Sequence, residues 1–272
     1  MRIRVYGGED KVPTGTYTDH RHGSIRHDTS SMSKIEWVFN GYEDNEMYID
    51  EAISSAVVSE TKKYAWLLES KKIIPHVYND FINNIDTYMS IFDLVFTSDK
   101  SIYETHERIK FVPANTLWVK DINLFNKTKL ISMITSNNNI TTGHKNRLLW
   151  AERVSKVADI YGRGINPINT KEDGLRDYMF SVAMENGYYK SYFTEKILDC
   201  FATGTIPIYK GCSDIGEFFN MDGVIVLNDE LDFSSLTEEL YLSKMDAVID
   251  NFNRVKEYVV LENFIEKHLE IQ

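Results

Sequence analysis

The residues with the clearest chemical potential lie in one segment, 178–211, which reads YMFSVAMENGYYKSYFTEKILDCFATGTIPIYKG. A β-rich run ends in Glu185-Asn186-Gly187, polar residues at a strand's carboxyl end. Tyr188, Tyr189 and Tyr192 crowd the turn that follows. Thr194 is a good N-cap, Glu195 and Lys196 fill the first helical turn, and Gly204 ends the helix before the next strand. A helix N-terminus offers unpaired N–H groups and a partial positive charge, so it suits an anion. A lysine there is disfavoured by the dipole. Lys196 therefore makes sense beside a phosphate, with Glu195 accepting from sugar hydroxyls and Tyr192 leaning on a base or phosphate. The plain alternative is a surface Glu-Lys pair with Asn186 as a turn residue.

A second segment, ISMITSNNNITTGHKNR (131–147), carries a strand into a Ser136-Asn137 turn and a helix holding Lys145 and Arg147. A guanidinium binds two diphosphate oxygens at once. A solvated basic helix start is the alternative, and His144 reads as a polar turn residue. In the first half, KYAWLLES ends a strand at Glu69, and FDLVFTSDK ends another at Ser98-Asp99. Glu69 reads as a strand-end carboxylate or an exposed residue before Lys71-Lys72; Asp99 reads as a helix cap. His20, His22 and His27 share one polar loop with Arg21 and Arg26, without the fixed spacing of a metal site.

Segment 178–211 closely resembles the donor-binding segment of glycosyltransferase family 10, the α-1,3-fucosyltransferases. The resemblance rests on about 35 residues, with Glu-Asn, Tyr-x-x-Glu-Lys, a helix and a Pro-x-Tyr-x-Gly strand end. It puts Asn186, Tyr192, Glu195 and Lys196 at donor-binding positions. Arg147 stands where the family has a diphosphate-contacting arginine, with Lys145 as a second cation. Lys210 departs from the family, which usually has tryptophan before Gly211. The resemblance also implies that Glu69 is the general base of an inverting transfer and that the donor is GDP-fucose; by its strand-end position alone, Asp99 could line the acceptor side and is the rival base. A same-fold transferase using another nucleotide sugar, or a non-catalytic nucleotide-sugar-binding protein, are the alternatives.

These residues need a frame. Strand-like and helix-like segments alternate, which implies parallel sheets covered by helices. Helices are expected over 47–58 and over 74–89, among others. The expected fold is α/β and GT-B-like, with two doubly wound Rossmann-like domains facing a cleft. An acceptor-side domain over 1–120 and a nucleotide-sugar domain over 121–272 are expected. Ligands of such sheets sit beyond the carboxyl ends of the strands.

Composition bounds the partners. The chain has 272 residues, 30 Lys plus Arg against 41 Asp plus Glu, and a net charge of −11. Such a balance argues against nucleic acid as a partner. Two cysteines are too few for a disulfide scaffold or a thiolate zinc site. The N-terminal residues lack a signal-peptide core, and no apolar run reaches 18 residues. A cytoplasmic enzyme of a bacterial or viral kind is expected, with a nucleotide-sugar donor, a glycan acceptor and room for peripheral membrane contact. No cofactor and no metal are expected: Asp229-Glu230-Leu231-Asp232 lacks the Asp-x-Asp spacing, and basic residues serve the diphosphate. G-x-G-x-x-G and Walker motifs do not occur.

Overall fold

The computed structural model describes residues 1–7, 33–139 and 141–269. The chain runs through β1 (Arg2–Tyr6), β2 (Glu36–Val38), β3 (Asn45–Ile49), β4 (Lys62–Leu67), α1 (Pro75–Asn83), α2 (Ile85–Ile91), β5 (Leu94–Thr97), α3 (Lys100–Tyr103) and β6 (Ile109–Phe111). It continues through β7 (Lys129–Ile134), α4 (Thr142–Val154), β8 (Asp159–Tyr161), β9 (Tyr178–Met184), α5 (Glu195–Ala202), β10 (Ile206–Lys210) and β11 (Ile225–Val226). Three helices close it: α6 (Glu238–Ser243), α7 (Met245–Val255) and α8 (Glu262–Glu266). Two compact units result. One comprises 1–116, 190–192 and 259–272; the other comprises 117–189 and 193–258.

The first unit holds a six-stranded sheet in the order β2-β1-β3-β4-β5-β6. Every pairing is parallel. Strand β4 shows how its two faces are covered. Ala65 and Leu67 pack with Val77, Tyr78 and Phe81 of α1. Tyr64 and Trp66 pack on the opposite side with Leu261, Ile265 and Leu269 at the C-terminal end. Alternation of side chains along a strand gives each face its own core.

The expected helix over 47–58 is instead β3 followed by a 3-10 turn, Asp50–Ser55. Met47, Tyr48 and Ile49 are all buried because β3 lies between β1 and β4. A central parallel strand covered on both faces reads as a continuous apolar run, which sequence periodicity cannot tell from a buried helix. The single helix expected over 74–89 is two helices, broken at Asn84. The Asn84 side-chain amide donates to the carbonyl and to Oδ1 of Asp80, at 3.0 and 2.9 Å. Such local bonds compete with the helical ladder.

The second unit holds a five-stranded parallel sheet, ordered β11-β10-β9-β7-β8. Ile131, Met133, Phe180, Val182, Ile206 and Ile208 form one core with Trp150 and Val154 of α4, Tyr241 of α6 and Val248 of α7. Every residue of α5 except Lys196 is buried. Phe201 of α5 meets Phe219 with ring centroids 4.6 Å apart. A helix so enclosed fixes what its first turn presents.

Candidate functional site

In the second unit, β9 ends at Met184, and Glu185, fully buried, continues its register by donating its N–H to the carbonyl of Lys210. The Glu185 carboxylate accepts from the backbone N–H of Thr194 at Oε1, 2.9 Å, and from the Thr194 hydroxyl at Oε2, 2.7 Å. Thr194 is the N-cap of α5. Its Oγ1 accepts from the Lys196 backbone N–H at 3.4 Å and from the Lys196 ammonium at 2.9 Å. That ammonium also lies 3.1 Å from Glu195 Oε1 and 3.5 Å from Glu185 Oε2. One cation thus stands at the helix N-terminus, against the dipole, held by two carboxylates.

Helix α4 is brought against the same strand end. A Cβ on Gly143 would fall 2.3 Å from the carbonyl oxygen of Asn186, so glycine permits this approach. Arg147, one turn further on, is buried. The α4 N-terminus is closed by a capping box in which Thr141 Oγ1 accepts from the His144 N–H and the His144 ring meets the N-cap backbone. His144 is therefore a capping residue. Tyr188 interacts with Asn146, Arg147 and Glu185. The Lys210 ammonium lies 5.7 Å from the centre of the Tyr188 ring. Asn186 Oδ1 is buried without a hydrogen-bond partner among the described residues.

Charge is arranged unevenly around α5. Burial alone would raise Glu195, but the Lys196 and Lys171 ammonium groups outweigh it and hold the carboxyl at about 2. Burial pushes Asp199 up to about 6, against the pull of Lys171 and with a further push from Glu195. Lys171 stands 3.7 Å from Asp199 and 4.0 Å from Glu195. Burial also raises Glu185, although Lys196 and the Thr194 bonds draw it back. Burial raises the Tyr188 hydroxyl, with Asn146 and Arg147 opposing.

In the first unit, β4 leads to Glu69. Asp50, at a φ of +50°, turns its buried carboxylate onto the N–H groups of Leu68 (2.8 Å) and Glu69 (3.1 Å). The Glu69 carbonyl accepts from the Tyr78 hydroxyl at 2.9 Å, and Glu69 Oε1 accepts from the Ser70 N–H at 2.8 Å. Asp99 is committed elsewhere: it caps α3 through Ser101 and pairs with Lys71 at 2.6 Å. Tyr192 is buried and belongs to the first unit with Ser191, whose hydroxyl meets that of Tyr103 at 2.8 Å.

The structure thus gathers Asn186, Glu195, Lys196 and Arg147 in one unit, while Lys145 is exposed on the outer side of α4. Glu69 and Tyr192 lie in the other unit. Glu185, Asp199 and Lys171 are participants that sequence reasoning did not single out. Glu185 stood in the sequence only as the strand-end glutamate of the Glu-Asn pair, with no role attached to it. Asp229 pairs with Arg153, and Asp232 caps a 3-10 turn. Among the described residues no group of His, Cys, Asp and Glu is arranged to hold a metal ion. His20, His22 and His27 lie outside the described residues.

Comparison with known proteins adds a family. The model of glycosyltransferase family 10 (fucosyltransferase), C-terminal part, matches residues 124–270. The chain is 33% identical over 66 residues to the α-(1,3)-fucosyltransferase FucT of Helicobacter pylori, which is 24% of this chain and 14% of that protein. It is 28% identical over 155 residues to 4-galactosyl-N-acetylglucosaminide 3-α-L-fucosyltransferase 9 of Bos taurus, 53% of this chain and 42% of that one. The matches thus span less than half the length of either relative. Among solved structures, an α1,3-fucosyltransferase with GDP-fucose shares the fold at a TM-score of 0.55 and 15% identity, over 100% of this chain and 90% of that one.

Proposed function

The chain belongs to glycosyltransferase family 10, and from that premise we propose that it moves a sugar, fucose from GDP-fucose, onto a hydroxyl of a glycan or polysaccharide acceptor with inversion and without a metal. One observation carries the reading. The N-terminus of α5 holds Lys196 at the carboxyl edge of β9, where open parallel sheets bind ligands, and the first turn of α4 meets Asn186 just beyond that edge, with Arg147 one turn further along and interacting with Tyr188. The dipoles and the two cations suit a diphosphate.

In this reading Glu69 takes the proton of the acceptor hydroxyl as its oxygen attacks the anomeric carbon. The bond from that carbon to the diphosphate oxygen breaks, and its electron pair leaves with GDP. Arg147 and Lys196 stabilise the charge that grows on the departing diphosphate, where preorganised cations act most strongly. Asn186 and Glu195 contribute polar contacts to the donor. Asp99 is the rival base, its carboxylate meeting Ser101 and Lys71.

A thermal-shift panel tests the donor. GDP and GDP-fucose are expected to raise the melting temperature more than GDP-mannose or UDP-sugars do. Transfer to a glycan acceptor is expected to survive EDTA. Complete loss with EDTA, restored by manganese or magnesium, would refute the metal-independent route.

A further inference from the structure

We propose that Glu185 is a positioning residue that aims the Lys196 ammonium, acting through the Thr194 hydroxyl, and that Gly211 is glycine because the Glu185 side chain crosses it. The inference rests on the reading of Lys196 as a phosphate contact.

Thr194 Oγ1 has one hydrogen, and at 2.7 Å it is given to Glu185 Oε2. The lone pairs of Oγ1 then face the helix, where they accept from the Lys196 N–H and from the Lys196 ammonium. A hydroxyl free to rotate would not keep this direction. Glu185 Oε1 fixes the carboxylate itself by accepting the Thr194 N–H. The Tyr209 hydroxyl lies 3.5 Å from the same oxygen and is held by the Cys212 N–H at 3.0 Å. A Cβ on residue 211 would lie 2.4 Å from Glu185 Cγ and 2.4 Å from the Tyr209 hydroxyl. The glycine that follows β10 is thus the seat of this carboxylate. The arrangement also answers an electrostatic difficulty. The positive end of α5 repels an ammonium, and Glu185 at 3.5 Å with Glu195 at 3.1 Å offsets that repulsion.

The test uses the full chain and two probes, GDP and guanosine, with melting temperatures recorded for every variant. Glu185→Gln keeps the shape but presents an amide that drives the Thr194 hydroxyl to turn. It is expected to weaken GDP binding roughly tenfold, to spare guanosine, and to add nothing further in a Lys196→Ala background. Thr194→Val should copy that pattern, while Thr194→Ser should restore wild-type GDP affinity. These two carry the test if the Gln variant does not fold. Wild-type GDP affinity in either Glu185→Gln or Thr194→Val overturns the proposal. So does an equal loss of GDP and guanosine, or an undiminished effect in the Lys196→Ala background. If Lys196→Ala weakens GDP and Glu185→Gln does not, the phosphate reading stands and this inference fails. If Lys196→Ala leaves GDP binding unchanged, both fail.

Discussion

The Lys196 ammonium donates to Thr194 and Glu195, and the Glu69 carboxylate accepts from Ser70, chain neighbours in each case, yet the two residues are expected to fail differently when changed. Lys196→Ala removes a charge-assisted contact, of the order of 1.5–3 kcal/mol. GDP affinity should then fall roughly ten- to a hundredfold, and calorimetric titration reads this directly. The melting temperature should fall as well, because the ammonium neutralises the buried Glu185 and Glu195 carboxylates, so the titration is run well below that transition. Glu69→Gln retains size and the bond to the Ser70 N–H geometry but cannot take a proton. Turnover should drop by about a hundredfold or more, the usual weight of a general base, while the GDP dissociation constant stays at its wild-type value. Asp99→Asn is the control. Asparagine caps a helix as well as aspartate does, so the variant loses mainly its pairing with Lys71. If turnover collapses in Asp99→Asn and survives in Glu69→Gln, the base belongs to the end of β5.

At the scale of elements, the decisive contact is between the first turn of α4 and the chain just after β9. Gly143→Ala places a methyl group 2.3 Å from a backbone carbonyl, which cannot rotate away as a side chain would. Either the helix or the Asn186 turn must shift. Overpacking of this kind costs on the order of 1–3 kcal/mol, and the shift moves Arg147 away from its place. Lower thermal stability together with weaker GDP binding is therefore expected. Wild-type GDP affinity in this variant would show that the approach of α4 does not position Arg147. The fully enclosed α5 obeys the same logic. Its sequence, EKILDCFA, looks amphipathic, but Asp199 is buried because its Oδ1 accepts from the N–H groups of Trp118 and Val119, at 2.7 and 3.1 Å.

At the scale of the molecule, buried charge ties stability to pH. The folded-state pKa of Asp199 is raised from 3.8 to about 6. Its contribution is therefore fully present below about pH 4 and is lost as pH rises through 6. Asp199→Asn stays neutral throughout and keeps an oxygen for the two N–H donors. The melting temperature of this variant, relative to wild type, should climb between pH 4 and pH 6.5 and then level off. Scanning calorimetry across that range checks it, and a flat difference would mean that Lys171 neutralises Asp199 fully at all pH values. Glu195 works in the other direction. Held at about 2 by Lys196 and Lys171, it contributes stability above about pH 4.5 that is lost on acidification toward 2.

Sequence by itself determined much here, because local signals and local structure coincide. Thr194 before Glu195-Lys196, the strand ending at Met184, and Gly204 after α5 all lie where short-range rules put them, since caps and turns are decided by a few neighbouring residues. The alternation of strands and helices likewise announced parallel sheets. The tertiary structure decided the rest. Whether 47–58 was strand or helix depended on the strands beside it, because Met47, Tyr48 and Ile49 are apolar for reasons of two-sided burial. The break at Asn84 is the exception: it rests on a local bond to Asp80 that apolar periodicity does not register. The role of Glu185 was hidden because its partners lie at 194, 196 and 209, and only the return of the chain onto β9 brings them within hydrogen-bond distance. Spacing along a chain reveals who stands at the end of an element; packing alone decides which ends meet.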